Sequence, residues 1–430
     1  MNRRLIAAIG ATAMLVSVAA CSSSTKAKAP TASKAADPAK LTVWLAVDAQ
    51  TGWASAVTAA TTKFNAAHPN TKVDVQYYSW GDKNTKFDAA LATPNVPDVI
   101  EMGNTETLSY MIKGAFAPLD ATKFTGSSDW LPALAATASY NGKLYGVPYY
   151  AGVKTGTWRK DINAAAGVTN NTPTTWAELT SDLDKVQAKE GKSFSAWYQP
   201  SRDWYAAMSF VYEQGGAIAT QDGGKWSGSL ESPAAQAGLA NWKNIEDKYM
   251  HGDKTKDESD RYIVYGQGKS DLIFGAGWEG GSAADPKVDK TGGKLKDNLV
   301  NFVIPGTKGD TLPSFIGGSD LVVPVKSKNV DLASEWINDF TNPTAEQALV
   351  TAGNLPNNKT MLAALNSDPK MGPSAKLALN TWFVPTAAGW LTVEKNAILQ
   401  NMLQDIATGK ASIADATKAA DTQINAVING

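Results

Sequence analysis

The side chains of this 430-residue sequence best suited to chemistry are aromatic rings set beside carboxylates, amides and hydroxyls. They fall at Asp48, at Asn104-Thr105-Glu106, at Arg202-Asp203-Trp204-Tyr205, at Trp278-Glu279, and at Trp382 with Trp390. An aromatic face covers apolar C–H surface. Carboxylates and amides next to it take hydroxyl groups through paired or charge-assisted hydrogen bonds. Such sets bind; other chemistries are poorly supplied. With 2 His (His68 and His251, far apart) and 1 Cys, the His and Cys set of a usual zinc site is not supplied. No G-x-S-x-G turn or phosphate loop occurs. Gly275-Ala-Gly277-Trp-Glu-Gly280 does match G-x-G-x-x-G after a strand-like run. A dinucleotide site also needs a long helix next and an acid about twenty residues on. Gly281 and Pro286 interrupt that helix, and the following segment is rich in Lys and Gly. The motif reads better as a flexible turn that presents Trp278 and Glu279.

The cysteine is Cys21. Before it come Asn2-Arg3-Arg4, an apolar run over 5–18, and the small residues Ala19-Ala20. The run has the length of a signal h-region and falls short of the ~20 residues of a spanning helix. Val18-Ala19-Ala20-Cys21 resembles the lipobox of bacterial lipoproteins, which implies lipidation at Cys21, palmitate included. Residues 22–40 carry no large apolar side chain and read as a flexible tether. The expected order is a signal peptide at 1–20, a lipidated cysteine and tether at 21–40, and a globular part outside the cytoplasmic membrane.

The globular part is too long for one core of typical size, so two lobes are expected. A net charge of −1, without a basic cluster, argues against nucleic acid as a partner. The elements that must position the aromatic sets follow from periodicity. Residues 41–47 read as a buried strand. Trp53, Val57, Ala60, Phe64 and Ala67 share a helical face, and Val73, Val75 and Tyr77 alternate as in a strand. Phe87, Ala90 and Leu91 suit a helix, and 97–102 a third strand. Strand, helix, strand, helix, strand describes βαβ units and a largely parallel sheet. Ligands sit at the carboxyl ends of such strands, here Asp48 and Asn104. Further on, Thr175-Trp-Ala-Glu178 is a capping box. Ser232-Pro233 and Asn342-Pro343 start helices. Strands are expected at 271–274, 300–304 and 321–325. The tail over 394–428 reads as helical with a break at Gly409. Trp44, Trp80, Trp176, Trp242 and Trp336 fall in strand or helix patterns and are assigned to the core. Asp48 is equally suited to capping the first helix, and Trp204 and Tyr205 to facing a core.

The order of these pieces resembles the extracellular solute-binding proteins of ABC importers, in the maltose-binding-like, carbohydrate-uptake branch. The stretches that carry the resemblance, in order, are "LTVWLAVD", "FNAAHPNTKVDVQYYSW", "ALATPNVPDVIEMGN" with "GAFAPLD", "YNGKLYGVPYY", "TPTTWAEL", "GAGWEGG", "GGSDLVVPVKSKNVDLASEWINDF" and "DIATGKASIADATKAADTQI". Many relatives carry Tyr-Asn-Lys-Asp where this chain has Trp158-Arg159-Lys160-Asp161. The resemblance implies an α/β, two-lobed, periplasmic-binding-protein-like fold, each lobe a mostly parallel sheet flanked by helices, with a hinge between. Lobe one would span 41–149 plus 305–350, and lobe two 150–304 plus 351–430. It implies a non-enzymatic receptor without a cofactor or metal, monomeric, that passes a sugar of one to several rings to ABC permease subunits in the membrane. The chito-, cello- and malto-sugars all stay open. Trp278 would stack on a sugar ring, one of Trp382 and Trp390 would face ligand, and Tyr150 and Ser319 would line the hinge side of the cleft. Asp48, Asn104, Thr105, Glu106, Trp204, Tyr205 and Glu279 complete the expected site. A lipid-anchored glycoside hydrolase, or a receptor for another solute, remains open on these residues alone.

The lipobox predicts that Cys21→Ser protein appears in the culture medium while still binding its ligand. Fractionation with an immunoblot checks this, and membrane retention of the variant would refute it.

Overall fold

The computed structural model describes residues 40–430. The signal segment, Cys21 and the tether up to residue 39 lie outside the described residues. Lys40, expected to end the tether, is the first residue of a strand. Nine strands join in one sheet among the described residues: β1 (Lys40–Ala46), β2 (Lys72–Tyr78), β3 (Val99–Gly103), β4 (Gly146–Arg159), β5 (Ser195–Tyr198), β6 (Ser270–Ala276), β7 (Leu299–Phe302), β8 (Ser314–Val322) and β9 (Thr381–Trp382). Their order is β2-β1-β3-β8-β4-β6-β5, with β7 also on β4 and β9 also on β8. The pairs β1–β2, β1–β3, β6–β5 and β8–β9 are parallel. The long strands β4 and β8 run antiparallel to each other and to their other neighbours in the main order.

This is the mixed α/β, two-lobed architecture that the sequence leads one to expect. One core gathers Leu41, Val43, Leu45, Trp53 and Phe64 under Trp336, Ile337 and Phe340. The other gathers Trp158, Leu183, Phe210, Trp242, Leu272, Leu403 and Ile424. A smaller cluster of Ala151, Val153, Ile316, Leu355 and Ala375 lies between them along β4 and β8. Both His68 and Trp336 serve the first lobe's packing. His68 Nε2 lies 2.7 Å from Glu335, joining helix Ala54–Ala67 to helix Val330–Thr341.

The caps explain where the helices begin. Thr175 Oγ1 accepts the Glu178 N–H at 3.2 Å, and the Glu178 carboxylate accepts the Thr175 N–H at 3.2 Å, so helix Trp176–Glu190 starts in a complete capping box. Ser232 and Asn342 cap helices Pro233–Tyr249 and Pro343–Thr351, each with proline in the first turn. The tail divides at Ala397, with φ of +51°, as well as after Ala407.

Gly317-Gly318-Ser319 differs from expectation in lying inside β8, not before it. Ser319 pairs with Gly103 on one side and Tyr150 on the other. Gly318 has φ of +143°, and a Cβ there would sit 2.1 Å from the Tyr150 carbonyl oxygen. Only glycine permits this approach. Gly318→Ala should therefore lower the unfolding free energy by about 3 kcal/mol or more. Urea denaturation measures it; a loss within experimental scatter would show that β4 and β8 yield at this point.

Candidate ligand-binding cleft

The carboxyl ends of β1 and β3 place the first set of polar side chains. Asp48 lies in the first turn of helix Val47–Thr51. Its carboxylate accepts the Trp80 indole N–H at 2.6 Å. Trp80 is thus a half-buried ring that packs against the Tyr78–Phe87 cluster and also partners a candidate site residue. Burial raises the Asp48 pKa, and the Trp80 bond opposes the rise. Gly103 ends β3, and helix Asn104–Ile112 begins at once. Asn104, Thr105 and Glu106 are all buried. Thr105 Oγ1 donates to Glu106 at 3.0 Å, and Lys83 forms an ion pair with the same carboxylate. The Lys83 ammonium also lies 4.9 Å from the Trp80 ring centre. A Cβ on Gly103 would run into the Glu106 carboxylate, so the glycine makes room for it.

Glu101, inside β3, was not anticipated. It is fully buried and accepts the Ala46 N–H at 2.8 Å. The Asn104 amide nitrogen lacks a hydrogen-bond partner. Ser319 Oγ donates to the Tyr150 hydroxyl at 3.3 Å, and both hydroxyls face Glu101. Asp48, Trp80, Lys83, Glu101, the 104–106 turn, Tyr150 and Ser319 thus form one neighbourhood at the strand ends, where an α/β sheet takes ligands.

In the second lobe a buried arginine organises the site. Arg261 opens helix Arg261–Gly266 and is 1% exposed. It grips Glu279 with Nε at 2.8 Å and Nη2 at 2.5 Å, and pairs with Asp203 through Nη1. Glu279 also accepts the Ala276 N–H at 2.8 Å. Asp203 caps helix Trp204–Glu213, and Lys154 approaches it at 3.4 Å. Glu279 was expected to face ligand; the structure commits it to Arg261 and the turn backbone. Trp278 beside it does face outward, 42% exposed, with Tyr262 edge-on at 5.8 Å between ring centres. Tyr205 is half-buried and stacks on Trp204 at 3.9 Å. Trp204, Trp382 and Trp390 are all buried, packed together with Phe315. They support the Tyr205 ring from behind.

Helix Trp390–Lys395 brings the lobes together. Trp390 packs in the second core, and Leu391 joins a separate cluster with Ile100 and Met102 of β3. Lys395 bonds Asp88 at 2.7 Å. Glu394 on this helix then lies in the field of Glu106 and Lys83 from lobe one and of Glu258 from lobe two. Burial, followed by repulsion from Glu106, pushes the Glu394 pKa well up. Burial and then Asp203 push Glu258 up to about 7. Lys83, Glu101, Lys154, Glu258, Tyr262 and Glu394 were missed by sequence reading. Only Glu101, an acid inside the otherwise apolar run "VIEMG", carried a visible signal. A surface hollow of about 440 Å³ lies elsewhere, lined by Lys40, Thr42, Pro94, Asp98 and Lys326 at the opposite, amino ends of β1 and β3. Among the described residues no cluster of His, Cys, Asp and Glu could hold a metal ion.

Two lobes on one crossing sheet, with aromatic and carboxylate groups at the strand ends, define a solute-binding protein. The sequence pattern of the family described as bacterial extracellular solute-binding protein matches residues 59–373, and the chain belongs to that family. It is accordingly an exported protein. It is 30% identical to the diacetylchitobiose binding protein DasA of Streptomyces coelicolor, over 99% of this chain and 98% of the relative. Its fold matches the GacH receptor of Streptomyces glaucescens, solved unliganded and with acarbose, at a TM-score of 0.78 and 21% identity, over 90% of this chain and 98% of that one. It also matches the sugar-binding protein MalE of Xanthomonas citri at 0.74 and 20% identity, over 90% and 97%.

Burial holds the Glu101 pKa at about 7, against the opposing Ala46 N–H bond. An unfolded chain releases this proton near about 4.3. The folded state binds the proton more tightly, so this contribution to stability is complete below the unfolded value and is lost as pH rises through about 7. Glu101→Gln removes the titration and keeps the shape. Across that window the variant's unfolding free energy should fall less steeply with pH, by up to about 1.4 kcal/mol per pH unit. Urea denaturation at stepped pH tests this, and parallel curves would refute it.

Proposed function

We propose that this protein is the substrate-binding lipoprotein of an ABC sugar importer, anchored through Cys21 to the outer face of the cytoplasmic membrane. It captures a di- or oligosaccharide between its lobes as a monomer and hands it, chemically unchanged, to the permease. The observation that carries this reading is Trp278, a large exposed ring at the carboxyl end of β6, with Tyr262 at its edge. An exposed aromatic face beside hydrogen-bonding groups suits the C–H face of a pyranose. The relatives named for diacetylchitobiose and acarbose support a ligand of more than one ring.

We assign ligand contact to Asp48, Asn104, Thr105, Glu106, Tyr150, Tyr205, Trp278 and Ser319, with Trp204, Trp382, Trp390 and Glu279 holding those groups in place. The lobes are taken as 41–149 with a return segment, and 150–304 with 351–430. Leu312 and Phe315 pack in the second core, which favours a return crossing at Gly317-Gly318, later than residue 305. Closure then stabilises the complex by only what the ligand gains in the closed state over the open one.

A sugar at a hundredfold excess over Kd should raise the unfolding free energy by about 2.7 kcal/mol. A thermal-shift screen of the purified protein against mono- and oligosaccharides reads this, with the sugar recovered intact by chromatography. Trp278→Ala should weaken binding of the sugar so found by about tenfold or more and leave the unliganded protein's melting temperature unchanged. Cleavage of the sugar would support a hydrolase instead, and no shift with any sugar would refute the sugar receptor.

A further inference from the structure

The end of lobe one opposite the cleft gathers positive charge. Lys40 and Lys72 open β1 and β2 and lie opposite one another in the parallel register. Strand β8 runs antiparallel to β3, so the chain leaves it at the same end of the sheet. Lys326 and Lys328 follow there. Lys40, Lys326 and Lys328 line the hollow of about 440 Å³, with Asn95 and Asn329 among them. All four lysines are exposed. Val325, 54% exposed, adds an apolar side chain beside them.

The carboxylates nearby do not cancel this charge. Asp74 pairs with Lys40 at 2.7 Å. Asp98 is buried, and its oxygens accept the Thr42 N–H at 2.8 Å, the Ser327 hydroxyl at 2.7 Å and the Asn329 amide at 2.9 Å. Asp331 is engaged by Lys123 at 2.6 Å. Lys326 donates to the carbonyls of Leu91 at 2.6 Å and Thr93 at 3.3 Å, which leaves its charge without an acid. Lys72 and Lys328 form no ion pair among the described residues. The whole chain carries a net charge of −1. The positive excess is therefore local to this face, and what the face attracts is anionic.

The course of the chain says which anion is at hand. Lys40 follows the tether directly, and eighteen residues separate it from Cys21. An anchored Cys21 therefore keeps this face within about 65 Å of the membrane. Each lysine beside an anionic lipid surface strengthens binding by about fivefold. Four of them give a lipid dissociation constant of about 1 mM. A short flexible leash supplies a local concentration of the same order, so contact on this scale is reversible.

We infer that lobe one rests on the membrane through this amino-end face, with its lysines on the phosphates of anionic lipid headgroups. For the nearness of the membrane, this rests on the lipid-anchor reading above. The carboxyl ends of β1 and β3 then point away from the bilayer, and the binding groups on lobe one stay open to the medium.

The test is sedimentation of purified Cys21→Ser protein with vesicles, so that no attached lipid takes part. Vesicles of phosphatidylglycerol and phosphatidylcholine in equal parts are compared with vesicles of phosphatidylcholine alone, at low salt. About half the protein should sediment at about 1 mM accessible anionic lipid, and less than about a tenth with the neutral vesicles. Salt at about 0.5 M should release it, because screening shortens the reach of the lysines. Lys72→Glu with Lys328→Glu should lower binding at least about tenfold at an unchanged melting temperature. Lys192→Glu with Lys225→Glu makes the same change of net charge on exposed lysines elsewhere, and should lower it less than about threefold. No binding to the anionic vesicles, binding that the neutral vesicles match, or equal loss in the two double variants would overturn the inference. So would retention on a uronic-acid polysaccharide with none on vesicles, which would assign the face to an acidic glycan. Failure of the lipid anchor is read separately, by fractionation of cells carrying Cys21→Ser, and vesicle binding by unlipidated protein does not depend on it.

Discussion

Strands β4 and β8 pair antiparallel from Gly146 opposite Val322 to Ile316 opposite Val153, and through this ladder two cores share one sheet. Several of the groups at the mouth of the lobes are hung from it or from a strand beside it. Tyr150 and Ser319 belong to the ladder itself. Glu101 and the 104–106 turn follow from β3, which pairs with β8. Trp278 follows from β6, which pairs with β4. The tightest point is Gly318 against the Tyr150 carbonyl. There the register also shifts, between Ser319 and Asp320, so the ladder bends where the chain passes from one core to the other. Irregular pairing of this kind re-aims side chains and eases bending, which is what a hinge in a continuous sheet requires.

Beside that hinge the second lobe is held stiff by buried charge. Arg261 between Asp203 and Glu279 is a costly arrangement in isolation, since removing either side leaves a buried charge worth about 3–5 kcal/mol of instability. Its geometry fixes three things together. Asp203 caps the helix that carries Trp204 and Tyr205, Glu279 anchors the turn that carries Trp278, and the Arg261 helix carries Tyr262. Gly275 completes the arrangement, since a Cβ there would sit 2.8 Å from the Glu279 carboxylate. The glycines of the G-x-G-x-x-G match therefore serve an acid–arginine anchor and a tight turn, with a helix of only five residues after it.

Much of the fold was legible because it rests on local patterns. The alternation at Val73, Val75 and Tyr77, the capping box at Thr175 and the Ser-Pro and Asn-Pro starts each act over a few residues, and each appears where expected. The site was legible only in part. Asp48 and the 104–106 turn could be placed because strand ends are ligand positions in any parallel sheet. Glu279 and Trp278 are adjacent in sequence, yet one is buried in an ion pair and the other exposed, because the Glu279 partner lies 18 residues away. Trp204, Trp382 and Trp390 look alike in sequence to a ring that faces solvent; their burial is set by one another across nearly two hundred residues. Lys83, Glu258 and Glu394 carry no local pattern at all. Their significance exists only where helix Trp390–Lys395 brings lobe-two acids up to Lys83 and Glu106.

That meeting of acids bears on how closure is controlled. Glu106 comes from lobe one, while Glu258 and Glu394 come from segments packed with lobe two. Burial and the neighbouring carboxylates hold the Glu258 pKa at about 7 and the Glu394 pKa well above its ordinary value, so proton uptake relieves the mutual repulsion and the charge is not stored. A ligand biases closure only by the difference between its affinities for the open and closed states.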